Sequence, residues 1–108
     1  MRRVSVLVGI LVMACAMASA QTGGTITGEV RDPSAALVPG ASVTATNTAT
    51  NVARPTETNA AGIYSFPGLT PGIYDVKVVM AGFSTAVRTA IELQVQQTAR
   101  VDFTLAVG

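Results

Sequence analysis

The stretch Gly62-Ile63-Tyr64-Ser65-Phe66-Pro67-Gly68-Leu69-Thr70-Pro71-Gly72-Ile73-Tyr74-Asp75-Val76 decides how this chain is read. The triplet Gly-Ile-Tyr occurs in it twice, at 62–64 and at 72–74. Nothing around the triplets recurs, so they are not an internal repeat. Each glycine sits in a turn signal, and each tyrosine takes the inward parity of the next strand. Asn59-Ala60-Ala61-Gly62 turns the chain into a short strand, Ile63 to Phe66. Pro67 to Thr70 connects, and Pro71-Gly72 turns again into the longest clear strand, Ile73 to Met80. There Tyr74, Val76, Val78 and Met80 share one face, with Asp75 and Lys77 on the other.

The same period-2 alternation runs outward in both directions. A first strand is predicted from Thr25 to Arg31, with Ile26, Gly28 and Val30 on one face, and Asp32-Pro33 ends it. Val38-Pro39-Gly40 makes a turn, with proline presetting φ and glycine open to positive φ. A second strand runs from Ala41 to Asn47, with Val43 and Ala45 inward. A weaker one runs from Val52 to Thr58, where Pro55 makes it an edge strand or irregular, because proline cannot donate to a ladder. Beyond Ala81-Gly82-Phe83, a strand from Ala86 to Val95 sets Val87, Thr89, Ile91, Leu93 and Val95 against Arg88, Glu92 and Gln94. The last, Ala99 to Val107, sets Val101, Phe103, Leu105 and Val107 against Arg100, Asp102 and Thr104. No window pairs helical spacing with caps. Six to seven short strands with frequent turn signals predict an all-β protein, a small Greek-key β-sandwich.

The first 20 residues do not belong to that pattern. Arg2 and Arg3 precede an apolar run from Val4 to Met17, and Ala18-Ser19-Ala20 is a small-x-small cleavage signal before Gln21. That order reads as a secretory signal peptide, cut after Ala20 with Ala18 and Ala20 as the recognised small residues. The run is short for a membrane span, which takes about 20 apolar residues. An uncleaved anchor is the alternative. Val12-Met13-Ala14-Cys15 loosely resembles a lipoprotein box, but Val12 and Met13 fit it poorly; a small apolar residue late in a leader is the plainer reading of Cys15.

Residues 21–108 then form one domain. Arg2 and Arg3 leave with the leader, which takes the basic count from 7 to 5 against 6 acids, a net charge of −1. No basic stripe is left, so no nucleic-acid partner is expected. The only cysteine leaves as well, so the exported domain must stand on its core without a disulfide.

With the strands in place, the run Gly28, Pro39-Gly40-Ala41-x-Val43, Thr58-Asn59-x-x-Gly62-x-Tyr64-x-Phe66-x-x-Leu69-x-Pro71-Gly72-x-Tyr74-x-Val76-x-Val78 and Gly82-Phe83 resembles the carboxypeptidase regulatory-like domain. The resemblance covers nearly all of residues 23–107. Ala61 departs from it, since the family often has Asp or Asn before that glycine. It implies a transthyretin-like sandwich, close to CnaB-type and carbohydrate-binding-like modules. It also implies a place after a signal peptide at the N-terminus of TonB-dependent, Oar-like outer-membrane receptors. The partner would then be the receptor's plug or barrel, or another protein of the cell envelope, and the location the periplasm or outer membrane, or outside the cell. The chain reaches Gly108 soon after its last strand, so the expectation is either a fragment of such a receptor or a free-standing secreted module.

The means for chemistry are sparse. A zinc carboxypeptidase needs histidine and glutamate ligands, and a Ser-His-Asp triad needs a histidine; the chain has no histidine. A cysteine nucleophile departs with Cys15. Asp32, Asp75 and Asp102 are far apart, with no calcium-loop spacing. CnaB-type relatives form a Lys–Asn isopeptide bond, but Lys77, the only lysine, takes the wet face and the last strand has no asparagine. No catalytic residue, metal ligand or cofactor is expected. Sugar binding is the alternative function, and it usually requires exposed rings. Tryptophan is absent, and Tyr64, Phe66, Tyr74, Phe83 and Phe103 all fall at core positions. The ligand-bearing alternative is a half-exposed pair, Tyr64 and Tyr74, at one end of the sandwich.

Overall fold

A computed structural model describes residues 23–108. The leader, its cleavage residues Ala18 and Ala20, and Cys15 lie outside the described residues. The described chain forms eight strands: β1 Gly24–Arg31, β2 Ser42–Asn47, β3 Ala53–Glu57, β4 Ile63–Leu69, β5 Gly72–Val79, β6 Ala86–Leu93, β7 Thr98–Arg100 and β8 Phe103–Thr104. They build two sheets. One is ordered β4-β1-β7, with β8 also on β1; the other is β3-β2-β5-β6. Two sheets face to face bury the apolar face of each, as the alternation requires. Between them lie Ile26 and Val30 of β1, Val43 and Ala45 of β2, Tyr64, Phe66 and Leu69 of β4, Tyr74, Val76 and Val78 of β5, then Leu93, Val101, Phe103 and Leu105. The strand with Pro55 is real and is an edge, with Pro55 opposite Thr44.

Three stretches depart from strict alternation. The first is β4, which does not end at Phe66 but continues to Leu69. Its register against β1 slips between Gly24 and Ile26, so that Phe66 meets Ile26 while Leu69 meets Gly24. The extra residue is absorbed at Pro67-Gly68, where Gly68 has φ of 67°. Left-handed glycine is what a bulge of this kind calls for. Phe66 and Leu69, three apart, therefore both face the core, and what reads as a connector is a bulged strand.

The second is β6, whose alternation breaks in the middle. Its register slips where Tyr74 meets Ile91 but Val76 meets Arg88. Ala90 is left-handed, with φ of 57°, and its amide donates to Asp75 Oδ1 at 3.2 Å. Ile91 and Leu93 turn inward, whereas Val87, Thr89 and Val95, expected on the same face, are exposed. β6 also ends at Leu93, not Val95.

The third is the last strand, which is broken in two and runs parallel to β1. Val101 N–H donates to Thr27 O at 2.8 Å. A regular parallel ladder would next send Glu29 N–H to Val101 O. That carbonyl instead accepts from the Tyr64 hydroxyl, and Glu29 N–H turns to the Asp102 carboxylate at 2.9 Å. One side-chain hydroxyl thus splits the strand into β7 and β8. Val107, expected inward, lies beyond the break, is exposed and bridges to Phe83.

The turns are closed by short polar side chains. Thr58, the one buried polar residue among those described, donates its hydroxyl to Val38 O at 2.6 Å and accepts from Ala41 N–H at 2.9 Å. The hydroxyl therefore bridges the first and last residues of the Val38-Pro39-Gly40-Ala41 turn. Asn59 Oδ1 accepts from the amides of Ala61 and Ile63, so the turn closes with alanine at 61. Asp32 Oδ1 does the same for Ser34 and Ala36, which suits residues that favour Asx turns.

Candidate functional site

The two tyrosines of the Gly-Ile-Tyr echo occupy different sheets and do not form a pair. Tyr64 is 1% exposed, on β4; Tyr74 is 3% exposed, on β5. Tyr64 packs edge-on against Phe66, with ring centres 5.8 Å apart, and 6.3 Å from Phe103. It lies directly across from Gly28. A methyl group at Gly28 would strike the Val101 carbonyl and the Tyr64 ring, so only glycine admits this crossing. Tyr74 donates its hydroxyl to Thr70 O at 2.6 Å, four residues upstream. With Leu69 buried and Pro71-Gly72 leading into β5, this is a tyrosine corner of the kind known in other sandwiches. Gly40, Gly62 and Gly82 hold the turns, all with positive φ, and Phe83 packs half-buried against the core.

Both open sides of the sandwich are closed by an arginine. Arg54 on β3 lies opposite the buried Ala45, and Arg88 on β6 lies opposite the buried Val76. Each therefore starts from the inward face of an edge strand. Arg88 reaches over the Phe103 ring, with its guanidinium carbon 5.9 Å from the centre. Arg54 spans the other seam, and its Nη1 donates to Pro67 O of β4 at 3.1 Å. Inward-pointing charge on an edge strand discourages pairing with another chain.

A cleft of about 270 Å³ opens beside Arg54 at the tip of that seam. Leu69 and Tyr74 form its floor, and Asn47, Thr50, Arg54 and Thr70 its polar rim. Asn47 Oδ1 accepts from the amides of Ala49 and Thr50 in the β2–β3 hairpin. Its amide nitrogen, a donor only, is left as the group that can serve a ligand. Among the described residues Arg54 makes no ion pair, in contrast to Arg31 and Arg100, which pair with Glu29 and Asp102.

The carboxylates are separately occupied. Asp32 caps its loop, Asp75 holds the β6 bulge, and Asp102 replaces a strand carbonyl. The hydrogen bond from Glu29 N–H, ahead of the bond from Arg100, holds the Asp102 carboxyl below the usual carboxylate value. Among the described residues no three His, Cys, Asp or Glu side chains gather as metal ligands. Lys77 lies exposed between Thr44 and Val87, facing away from β1 and β8. Arg54, Asn47, Thr50 and Thr70 carry no motif that singles them out in the sequence. The available signal is an arginine at inward parity on a proline-bearing strand.

A two-sheet sandwich with a tyrosine corner and a rimmed seam cleft defines a small all-β module whose polar interior serves the backbone. The family model of the carboxypeptidase regulatory-like domain matches residues 25–106, and the chain belongs to that family. Among solved structures it is similar to the TIE protein of Bacillus anthracis, with a TM-score of 0.68 and 23% identity over 80% of this chain and 17% of that one. It is similar to a putative carbohydrate binding protein from Bacteroides uniformis, with a TM-score of 0.62 and 17% identity over 78% and 41%. It is also similar to hydroxyquinol 1,2-dioxygenase from Pseudomonas putida, with a TM-score of 0.63 and 9% identity over 81% and 57%. The chain spans less than two thirds of each of these proteins, and the likenesses carry the fold alone. No curated protein matches the chain.

Proposed function

We propose that the chain is a non-catalytic exported module with a structural or interaction role in the bacterial cell envelope. In this reading it is the N-terminal periplasmic domain, whole or in part, of a TonB-dependent outer-membrane receptor. The observation that carries the non-catalytic role is the state of the buried polar groups. The hydroxyls of Thr58, Tyr64 and Tyr74 each bond a backbone carbonyl, and among the described residues no buried side-chain nitrogen or oxygen lacks a partner. Hydroxyls committed in this way to backbone carbonyls serve the fold, which supports a structural role for the interior. The leader ending at Ala18-Ser19-Ala20 supports export.

Reading the open frame beyond Gly108 tests the receptor. Plug and alternating barrel segments are expected; a stop codon there overturns it. The second reading, a free-standing carbohydrate- or peptide-binding module, is favoured by the seam cleft and by the fold shared with a putative carbohydrate binding protein. Saturable binding of a sugar or peptide by the isolated protein is its test.

A further inference from the structure

We propose that the seam cleft binds one acidic sugar unit, a uronic acid, with its carboxylate on Arg54; this rests on the second reading above. Three observations lead there. The volume, about 270 Å³, falls just under the range of pockets for drug-sized ligands, which starts at about 300 Å³. It suits a single ring rather than an extended oligomer.

The floor cannot hold a neutral sugar by stacking. Tyr74 is 3% exposed, with its hydroxyl turned to Thr70 O, so it offers an edge and no face. Affinity must then come from the rim. Thr50 and Thr70 bring hydroxyls, Asn47 brings amide donors, and Arg54 brings a positive charge.

Arg54 is also positioned for the task. One of its donors is fixed on Pro67 O, which orients the guanidinium across the seam. Its remaining donors meet no acid among the described residues. A planar fork with free donors selects a carboxylate in two-point contact, more strongly than a neutral hydroxyl pair. Arg88, the matching arginine of the opposite seam, already covers the Phe103 ring.

The test is titration of the isotope-labelled protein with D-glucuronate, D-glucose and acetate, followed residue by residue in amide NMR spectra. Glucuronate is expected to move the amides of Asn47, Thr50, Val52, Arg54 and Gly68–Thr70 in a saturable way. Glucose and acetate should each bind at least about tenfold more weakly, and Arg54→Gln should weaken glucuronate by a similar factor while distant amides keep their positions. Arg54→Lys keeps the charge without the fork and should recover only part of the loss. Glucuronate binding that maps elsewhere, or that survives Arg54→Gln unchanged, overturns the assignment and leaves sugar binding intact. Acetate binding as tightly as glucuronate overturns the sugar. No saturable shift with any of the three overturns this site, and a further screen of neutral sugars and peptides then decides the second reading separately.

Discussion

At the scale of single residues, the two tyrosines have different jobs that burial alone does not distinguish. Tyr74 fills the core and ties its hydroxyl to the turn it has just left. Tyr74→Ala should cost about 3–5 kcal/mol, as aromatic truncations in a core do. Tyr74→Phe keeps the ring and loses one hydrogen bond, so about 1–2 kcal/mol is expected. Urea denaturation of both variants checks the ratio, and near-wild-type stability of the alanine variant would argue against a packed ring. Gly28 is under the tighter constraint, because what it touches is backbone. Gly28→Ala must push Val101 away from β1, and a loss of about 3 kcal/mol, the upper end for overpacking, is expected from the same measurement.

At the scale of elements, the sandwich depends on hydroxyls and carboxylates standing in for backbone partners. Thr58 is the clearest case. Thr58→Val leaves the Val38 carbonyl and the Ala41 amide buried without partners and should cost about 2–3 kcal/mol. Thr58→Ser keeps the hydroxyl and should retain most of the stability, read as a shift in melting temperature. The same substitutions of one group for another explain what the sequence does and does not disclose. The alternation at Ile26, Val43, Tyr64, Tyr74 and Val76 is uninterrupted, so the inward faces of β1, β2, β5 and the start of β4 are legible. The bulges are not. Gly68 gives a turn signal that reads equally well as the end of a strand, and Ala90, a residue that rarely adopts positive φ, gives no signal. Each bulge inverts the parity of the residues beyond it, so alternation carried back from Ile91 and Leu93 assigns Val87 to the wrong face, while Val95 lies past the end of β6. The break between β7 and β8 depends on Tyr64, 37 residues away from Val101, and no local pattern encodes that. Arg54 is hidden for a related reason: its role comes from spanning two sheets, and a strand read alone has no second sheet.

At the scale of the whole molecule, stability should be level across mid pH and limited at both ends. There is no histidine, so no side chain with an ordinary titration between roughly pH 5 and 9 is present in the sandwich. At the alkaline end Tyr64 dominates. Burial, with the Asp102 charge added, pushes its phenol well above the ordinary 10.0. The unfolded tyrosine ionises near pH 10 while the folded one stays protonated, so above that pH the unfolded state holds fewer protons. Stability then falls as pH rises, by about 1.4 kcal/mol per unit. Tyr64→Phe should start from lower stability and show a flatter alkaline limb in denaturation curves. At the acid end the sign is reversed. Asp102 is held below 3.8 by its bond from Glu29 N–H, so its contribution is present above the unfolded value and is lost as pH falls through the folded one. Asp102 is largely exposed, which keeps this contribution small.

The parallel pairing of the last strand with the first has a mechanical consequence. Thr25 meets Thr98 and Arg31 meets Thr104, so the chain enters at one end of the sandwich and leaves at the other. Tension applied through the two ends pulls β1 and β7–β8 past each other lengthwise. The load then falls on their cross-strand hydrogen bonds together, where an antiparallel terminal pair would open one bond at a time. Val101 to Thr27, Leu105 to Arg31 and Glu29 to Asp102 would share it. In single-molecule pulling, extension through the ends should give one abrupt, high-force rupture, and Asp102→Ala should lower that force. Peeling from two attachment points on the β2–β3 hairpin should yield at much lower force.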